Sequence, residues 1–131
     1  MNLFANSILS VALVVGSGLT IELATASVAE AAVSSYYAVV GSGGTLNRSS
    51  GEIKSHRIKI GLYEVLFGRD VSNCSFTVTV GSPTPTTPKI PIFGIAIVAP
   101  RSGNTHGVYV TTGEPAGGAY DFGFYLNVLC P

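Results

Sequence analysis

Few side chains in this 131-residue chain can do chemistry: two histidines, two cysteines, seven Asp or Glu and seven Lys or Arg. A hydrolytic site needs a nucleophile, a base and a group to orient the base. The imidazole bases are His56 and His106, and no Gly-x-Ser-x-Gly elbow accompanies them. Gly41-Ser42-Gly43-Gly44 is the nearest run, and its composition is that of a turn. A triad can be composed from His106, Asp121 and a serine, but no spacing selects the serine. Asn104, His106, Glu114 and Asp121 fall in loop segments and carry oxygen ligands of the kind a loose calcium site uses, again without a spacing rule. Two cysteines alone cannot complete a four-ligand zinc site. The composition therefore implies neither an enzyme nor a cofactor or metal.

Charge points the same way. Positive and negative residues balance over the whole chain, and setting aside Glu22 and Glu30 of the leading segment leaves seven basic residues against five acidic ones. Such a balance exerts no general pull toward nucleic acid or an anionic membrane surface. The basic residues do cluster between Arg48 and Lys59, where Lys54, Arg57 and Lys59 face the single acid Glu52. These cations are a candidate edge for anionic glycans or phosphate. Charged side chains on a bulged outer strand also prevent edge-to-edge pairing, which any fold needs, and that role is the simpler one.

The two cysteines say more. Cys74, Phe76, Val78 and Val80 alternate with Ser75, Thr77 and Thr79, and Phe122, Phe124, Leu126, Val128 and Cys130 alternate with Gly123, Tyr125, Asn127 and Leu129. Side chains two apart on a strand share a face. Each thiol thus ends an inward row, where a Cys74 to Cys130 bridge would tie two core-facing strands. An even cysteine count in a small exported domain reads as a bridge formed in an oxidising compartment. The alternative is two buried free thiols.

The elements that position these residues are short strands with turn punctuation. Ser34 to Val40, Thr45 to Arg48, Ile53 to Ile60, Leu62 to Phe67, the Cys74 run, Ile92 to Val98, Val108 to Thr112 and the Phe122 run are the expected strands. In the third, the apolar phase slips, and a bulge near Ser55 to Arg57 would turn Ile53, Ile58 and Ile60 inward and Lys54, Arg57 and Lys59 outward. Ile92 to Val98 is apolar at every position, as in a central strand covered on both faces. Gly81 to Pro91, with four prolines, is an extended loop. Seven to nine such strands without an amphipathic helix predict an all-β fold, an antiparallel β-sandwich or jelly-roll-like domain.

Residues 1–31 read as a signal peptide and 32–131 as the β domain. Leu3 to Leu23 is largely apolar and leads into the small-residue stretch Ala24 to Ala32, with cleavage sites after Ala26, Ala29 or Ala31. The first Lys or Arg is Arg48, so the usual positive start is missing, and an uncleaved anchor is the alternative. Gly18-Leu19-Thr20-Ile21-Glu22-Leu23 is similar to the processing site of type IV pilins, but the long apolar helix that follows such a site is not there. Asn47-Arg48-Ser49 matches a glycosylation acceptor, which has meaning only in a eukaryotic host.

Recognition is suggested by aromatic residues on the outward parity. Tyr36 or Tyr37, Tyr109 and Tyr125 oppose the inferred core, and Leu129 shares the row of Tyr125; Tyr109, Tyr125 and Leu129 are the candidate interaction surface, unless a loop covers them.

Tyr37-Ala38-Val39-Val40, Gly44-Thr45-Leu46 with Arg48 and Gly51, Gly61-Leu62-Tyr63-Glu64-Val65-Leu66-Phe67, Asp70-Val71 ahead of Cys74, and the ending Asp121, Phe122, Phe124, Leu126, Val128, Cys130 together resemble a family of exported bacterial domains. Members occur alone after a signal peptide or at the end of surface, collagen-like and tail-fibre-like proteins. The resemblance implies a β-sandwich-like surface or binding module with a protein or glycan partner, able to oligomerise, and it carries over no active-site residue. The expectation is an extracellular or cell-surface, non-enzymatic interaction module. A structural subunit of an extracellular oligomer is the alternative, and a small secreted hydrolase built on His106 and Asp121 is a distant third.

Overall fold

The computed structural model describes residues 32–85 and 93–131. The expected signal segment, 1–31, lies outside the described residues, as does Ile92 of the expected sixth strand. Eight strands are formed: β1 (Ser34–Val40), β2 (Leu46–Ser49), β3 (Ile53–Lys59), β4 (Leu62–Phe67), β5 (Ser75–Val80), β6 (Ile95–Pro100), β7 (Gly107–Gly113) and β8 (Phe124–Cys130). They build two antiparallel sheets in the orders β2-β1-β8-β5 and β3-β4-β7-β6. The all-β sandwich read from the alternation is the architecture observed, and no helix occurs among the described residues.

Alternation places one row from each strand between the sheets. Ala38 and Val40 of β1 and Phe124, Leu126, Val128 and Cys130 of β8 come from one sheet; Tyr63, Val65 and Phe67 of β4 and Val108 and Val110 of β7 come from the other. Phe76 and Val78 of β5 and Val98 of β6 pack at the margin of this core. Burying a side chain of this size contributes roughly 1.5–3 kcal/mol. A one-residue slip of β8 would turn its whole row to solvent, so register is strongly enforced. Ser34↔Cys130 through Val40↔Phe124 on one side, and Ser75↔Leu129 through Val80↔Phe124 on the other, hold β8 between β1 and β5.

Cys74 and Cys130 form the disulfide that the two rows imply. Cys74 immediately precedes β5, opposite Cys130, and the Cα atoms are 4.3 Å apart, matching the spacing of about 4.5 Å at a non-hydrogen-bonded antiparallel pair. The bridge joins adjacent strands of one sheet, and it sits with Ser34 at the end of the sandwich where the chain enters and leaves the domain.

Two local readings are corrected. The bulge in β3 falls at Ile58, between Arg57↔Tyr63 and Lys59↔Leu62, one residue beyond the expected stretch. As a result Ile53 is buried, but Ile58 and Ile60 are exposed. Arg57 lies on the same face as buried Tyr63 rather than outward, because directly paired residues share a face; Lys54 and Lys59 pair with Leu66 and Leu62 on the outer face. The second correction concerns the all-apolar run. β6 is an edge strand and not a central one, so its inner residues meet the core while Ile95 and Ile97 face out, Ile97 at 62% exposure. Continuous apolarity signals two covered faces in a parallel sheet; here the second face is open among the described residues.

The disulfide closes a separation of 56 residues, for which the chain-entropy relation gives about 4 kcal/mol. Thiol titration of the unfolded, unreduced chain should find no free cysteine. The Cys74→Ala/Cys130→Ala chain should unfold at a markedly lower urea concentration, with a stability loss up to about 4 kcal/mol.

Candidate functional site

At the end of the sandwich away from the disulfide, three connections meet: the β1–β2 turn, the segments flanking the β5–β6 connection, and the β7–β8 loop. They enclose a groove of about 780 Å³. Its construction starts from glycine. Gly44 adopts a φ of 88° and lies so close to the backbone of Arg57 that a Cβ would collide with it, which lets the β1–β2 turn rest on β3. The turn closes through Gly44 N–H to the Gly41 carbonyl at 2.8 Å, and Ser55 Oγ donates to the Gly44 carbonyl at 2.8 Å.

The second wall is pinned by three bonds. Gly81 N–H donates to the Gly123 carbonyl at 2.9 Å, Tyr125 Oη donates to the Ser82 carbonyl at 2.6 Å, and Arg48 Nη1 donates to the Pro83 carbonyl at 2.9 Å. The third wall folds back on β7 through buried Thr112. Its hydroxyl donates to the Tyr120 carbonyl at 2.6 Å and accepts the Phe122 N–H at 3.2 Å. With backbone partners on both sides, this buried hydroxyl is satisfied and holds the loop.

Asp121 ties the walls to the second sheet. Oδ1 accepts from Arg57 Nε at 2.9 Å, Gly61 N–H at 2.8 Å and Tyr63 Oη at 3.1 Å, while Oδ2 meets Arg57 Nη2 at 2.8 Å. The arginine fork and the backbone donor hold the Asp121 carboxyl at about 2, well below the usual carboxylate range. Tyr63 is pushed up to about 12, chiefly by burial; its hydroxyl serves Asp121 and also the Ser42 carbonyl at 2.7 Å. Together Arg57, Tyr63 and Asp121 link β3, β4, the β1–β2 turn and the segment that enters β8.

Into this frame the fold places two rings. Tyr120 is 52% exposed and Phe93 74% exposed, and both line the groove. Tyr120 is braced by Phe122, with centroids 4.8 Å apart. Around them the lining mixes polar residues, Ser42, Asn47, Ser82 and Glu114 among them, with Gly41, Gly81, Val80 and Pro83.

The sequence-predicted groups scatter. Asn104 and His106 precede β7 whereas Glu114 and Asp121 follow it, so they lie at opposite ends of the strand and cannot form one ligand set or one dyad. The expected His106–Asp121 pairing is not formed: His106 lies exposed near the Asp70 turn, and Asp121 is engaged by Arg57. Among the described residues no group of three or more His, Cys, Asp and Glu is placed to hold a metal ion.

Tyr109, Tyr125 and Leu129 do not share a surface. Tyr109 lies on the outer face of the β3-β4-β7-β6 sheet, where its hydroxyl accepts from Arg101 Nε at 3.2 Å and the guanidinium stands 5.8 Å from its ring. Beside it Glu64, only 5% exposed, is paired with Arg101 and with His56 Nε2, the latter at 3.1 Å. Tyr125 and Leu129 are on the outer face of the other sheet, with Tyr125 under the Gly81–Ser82 wall and exposed Leu129 flanked by Ser35 and Ser75. Of the basic edge, Lys54 and Lys59 stay exposed on an edge strand, and Arg57 is diverted to Asp121. The residues that reading along the chain missed are Tyr120 and Phe93. For Tyr120 the signal is an aromatic side chain inside a glycine-rich loop; Phe93 is absorbed into the apolar run Ile92 to Val98, which reads as strand.

The chain matches no protein-family model, no curated protein and no solved structure. The residues that carry the resemblance to exported bacterial domains are framework: Tyr63, Val65, Phe67, Phe124, Leu126, Val128 and Cys130 form the core, and Asp121 and Gly61 bond to each other.

The Asp121 carboxyl lies below its unfolded value of about 3.9, so its stabilising contribution is present above pH ~4 and is lost as pH falls toward about 2. Urea unfolding across that range should show stability declining with acid. Asp121→Asn should be less stable at neutral pH, with a flatter decline over the same interval.

Proposed function

We propose that this chain is an exported, non-enzymatic β-sandwich module that binds a surface partner in the loop-end groove. The observation that carries the reading is the pair of exposed rings, Phe93 and Tyr120, held in a concave site by walls whose backbone groups are hydrogen-bonded. Exposed aromatics in a concavity with convergent polar groups are the usual anatomy of a recognition site. Placement adds support. Ser34 and Cys130 pair with each other at the far end, so the groove opens away from the points where chain enters and leaves the domain. Export is supported by the leader composition and by the Cys74–Cys130 bridge, a cross-link favoured in oxidising compartments. The likeness to exported surface domains agrees with both.

A second reading, subunit of an extracellular assembly, is favoured by a different feature. Ile60, Leu62, Ile95 and Ile97 line a shallow depression of about 470 Å³ on the outer face of the β3-β4-β7-β6 sheet. Large contiguous apolar surface is unusual on a monomer. Lys59 and Glu114 are among its lining residues and supply the opposite charges that a two-fold contact over the patch can pair.

The two readings have separate tests. In a binding screen of the full chain against immobilised glycans and surface proteins, the Phe93→Ala/Tyr120→Ala chain should lose the signal that Tyr109→Ala and Leu129→Ala keep. Equal behaviour of all the variants would remove the groove from the account. Sedimentation velocity over a hundred-fold range of concentration should show self-association that Ile97→Lys abolishes if the sheet face is the contact, and a monomer throughout if it is not.

A further inference from the structure

The groove's lining points to a class of ligand, an inference that rests on the groove being the binding site. We propose that it takes a neutral, hydroxyl-rich saccharide, with one sugar ring stacked on Tyr120 or Phe93 and its hydroxyl groups bonded to the side chains of Asn47, Glu114, Ser42 and Thr45.

A pyranose ring has an apolar C–H face and a rim of hydroxyls that both donate and accept. It needs a flat aromatic platform and closely spaced polar groups, and the groove supplies each. Tyr120 is anchored at both its N–H and its carbonyl to Thr112, and its ring leans on Phe122 at an interplanar angle of 42°, which places the ring in the groove with its backbone fixed. Gly81 and Gly123 let the walls pack closely, since a Cβ would meet the Tyr125 ring at the first and the Gly81 carbonyl at the second, while nothing lies within 4 Å of a Cβ built at Gly43, which leaves the groove open there. Ser42, Thr45, Asn47, Ser82 and Thr84 add side-chain donors and acceptors.

Charge narrows the class. The two ionisable carboxylates in the lining are Glu114 and Asp121, and no Lys, Arg or His lines the groove among the described residues. Asp121 is neutralised by the Arg57 fork; Glu114 is exposed. A sialylated, uronic or sulfated glycan would bring its anion beside Glu114 with no cation among the described lining residues to meet it, which costs affinity. An extended peptide is recognised through a strand edge or through deep apolar anchor pockets, whereas these walls are mostly turns.

The test uses the full chain, with cellotriose, maltotriose and tri-N-acetylchitotriose as neutral probes and sialyllactose and a heparin disaccharide as anionic ones. Saturation-transfer NMR detects contact and calorimetry measures affinity. At least one neutral trisaccharide should bind, about ten-fold more weakly to Tyr120→Ala, about equally well to Tyr120→Phe, and unchanged to Leu129→Ala at the opposite end. Thermal unfolding of each variant identifies any that fails to fold, and Phe93→Ala serves as the second groove variant in that case. Binding confined to the anionic probes, or neutral binding indifferent to both ring variants, overturns the proposal. A displayed-peptide library selected on the wild-type chain and depleted on Tyr120→Ala separates two failures. Groove-dependent peptides without saccharide binding reject the ligand class and leave the groove a binding site, and silence in every arm rejects both.

Discussion

One carboxylate sets the geometry of the end of the sandwich where the groove opens. Asp121 lies on the segment that enters β8, and its two oxygens reach the guanidinium of Arg57 on β3, the N–H of Gly61 in the β3–β4 turn and the hydroxyl of Tyr63 on β4. Strand pairing alone holds each sheet together; it does not set how the loops of one sheet stand over the other. The Arg57–Asp121 fork does, because a bidentate pair tolerates little displacement. Tyr63 extends the constraint to the β1–β2 turn through Ser42, and Gly44 allows that turn to come down onto β3. Remove the carboxylate and the β1–β2 turn and the β7–β8 loop lose their shared anchor.

The opposite end is organised by covalent rather than ionic means. Cys74 and Cys130 close the β5–β8 pair where β8 leaves the domain, and the Asp121 network holds the place where β8 enters. β8 lies between β1 and β5 and contributes the longest inward row, so the strand tied at both ends is also the one that organises the core. Rigid ends and a packed middle suit a scaffold that displays loops without rearranging.

The two edges of the β3-β4-β7-β6 sheet are treated differently. β3 carries Lys54, Arg57 and Lys59 and a bulge, all of which discourage pairing with a foreign strand. β6 carries Ile95, Ala96, Ile97, Val98 and Ala99, with no charge and no bulge in its pairing with β7. This asymmetry, with the exposed isoleucines on the same outer face, distinguishes the assembly reading from the groove, although the two surfaces meet at Glu114.

Periodicity along the chain determined a good deal. Alternation in the Cys74 and Phe122 runs specified which residues face inward, and with it the disulfide, the inner faces of β5 and β8 and the all-β class, because strand period is a local property of backbone geometry. The same logic failed where one-dimensional pattern is ambiguous. Uniform apolarity in Ile95 to Val98 does not say whether the second face is covered by the same molecule, and the break in phase around Ile58 does not say which side of a bulge keeps its facing. The groove was illegible for a further reason. Tyr120 and Phe93 are 27 residues apart in sequence, and they meet Asn47 and Ser42 only because β1, β5, β7 and β8 all end at one side of the sandwich. Asp121 and Arg57, 64 residues apart, pair by the same long-range placement. Composition and spacing determined which side chains are inside; only the stacking of the two sheets decided which loops share an end, since that depends on pairing partners far apart along the chain.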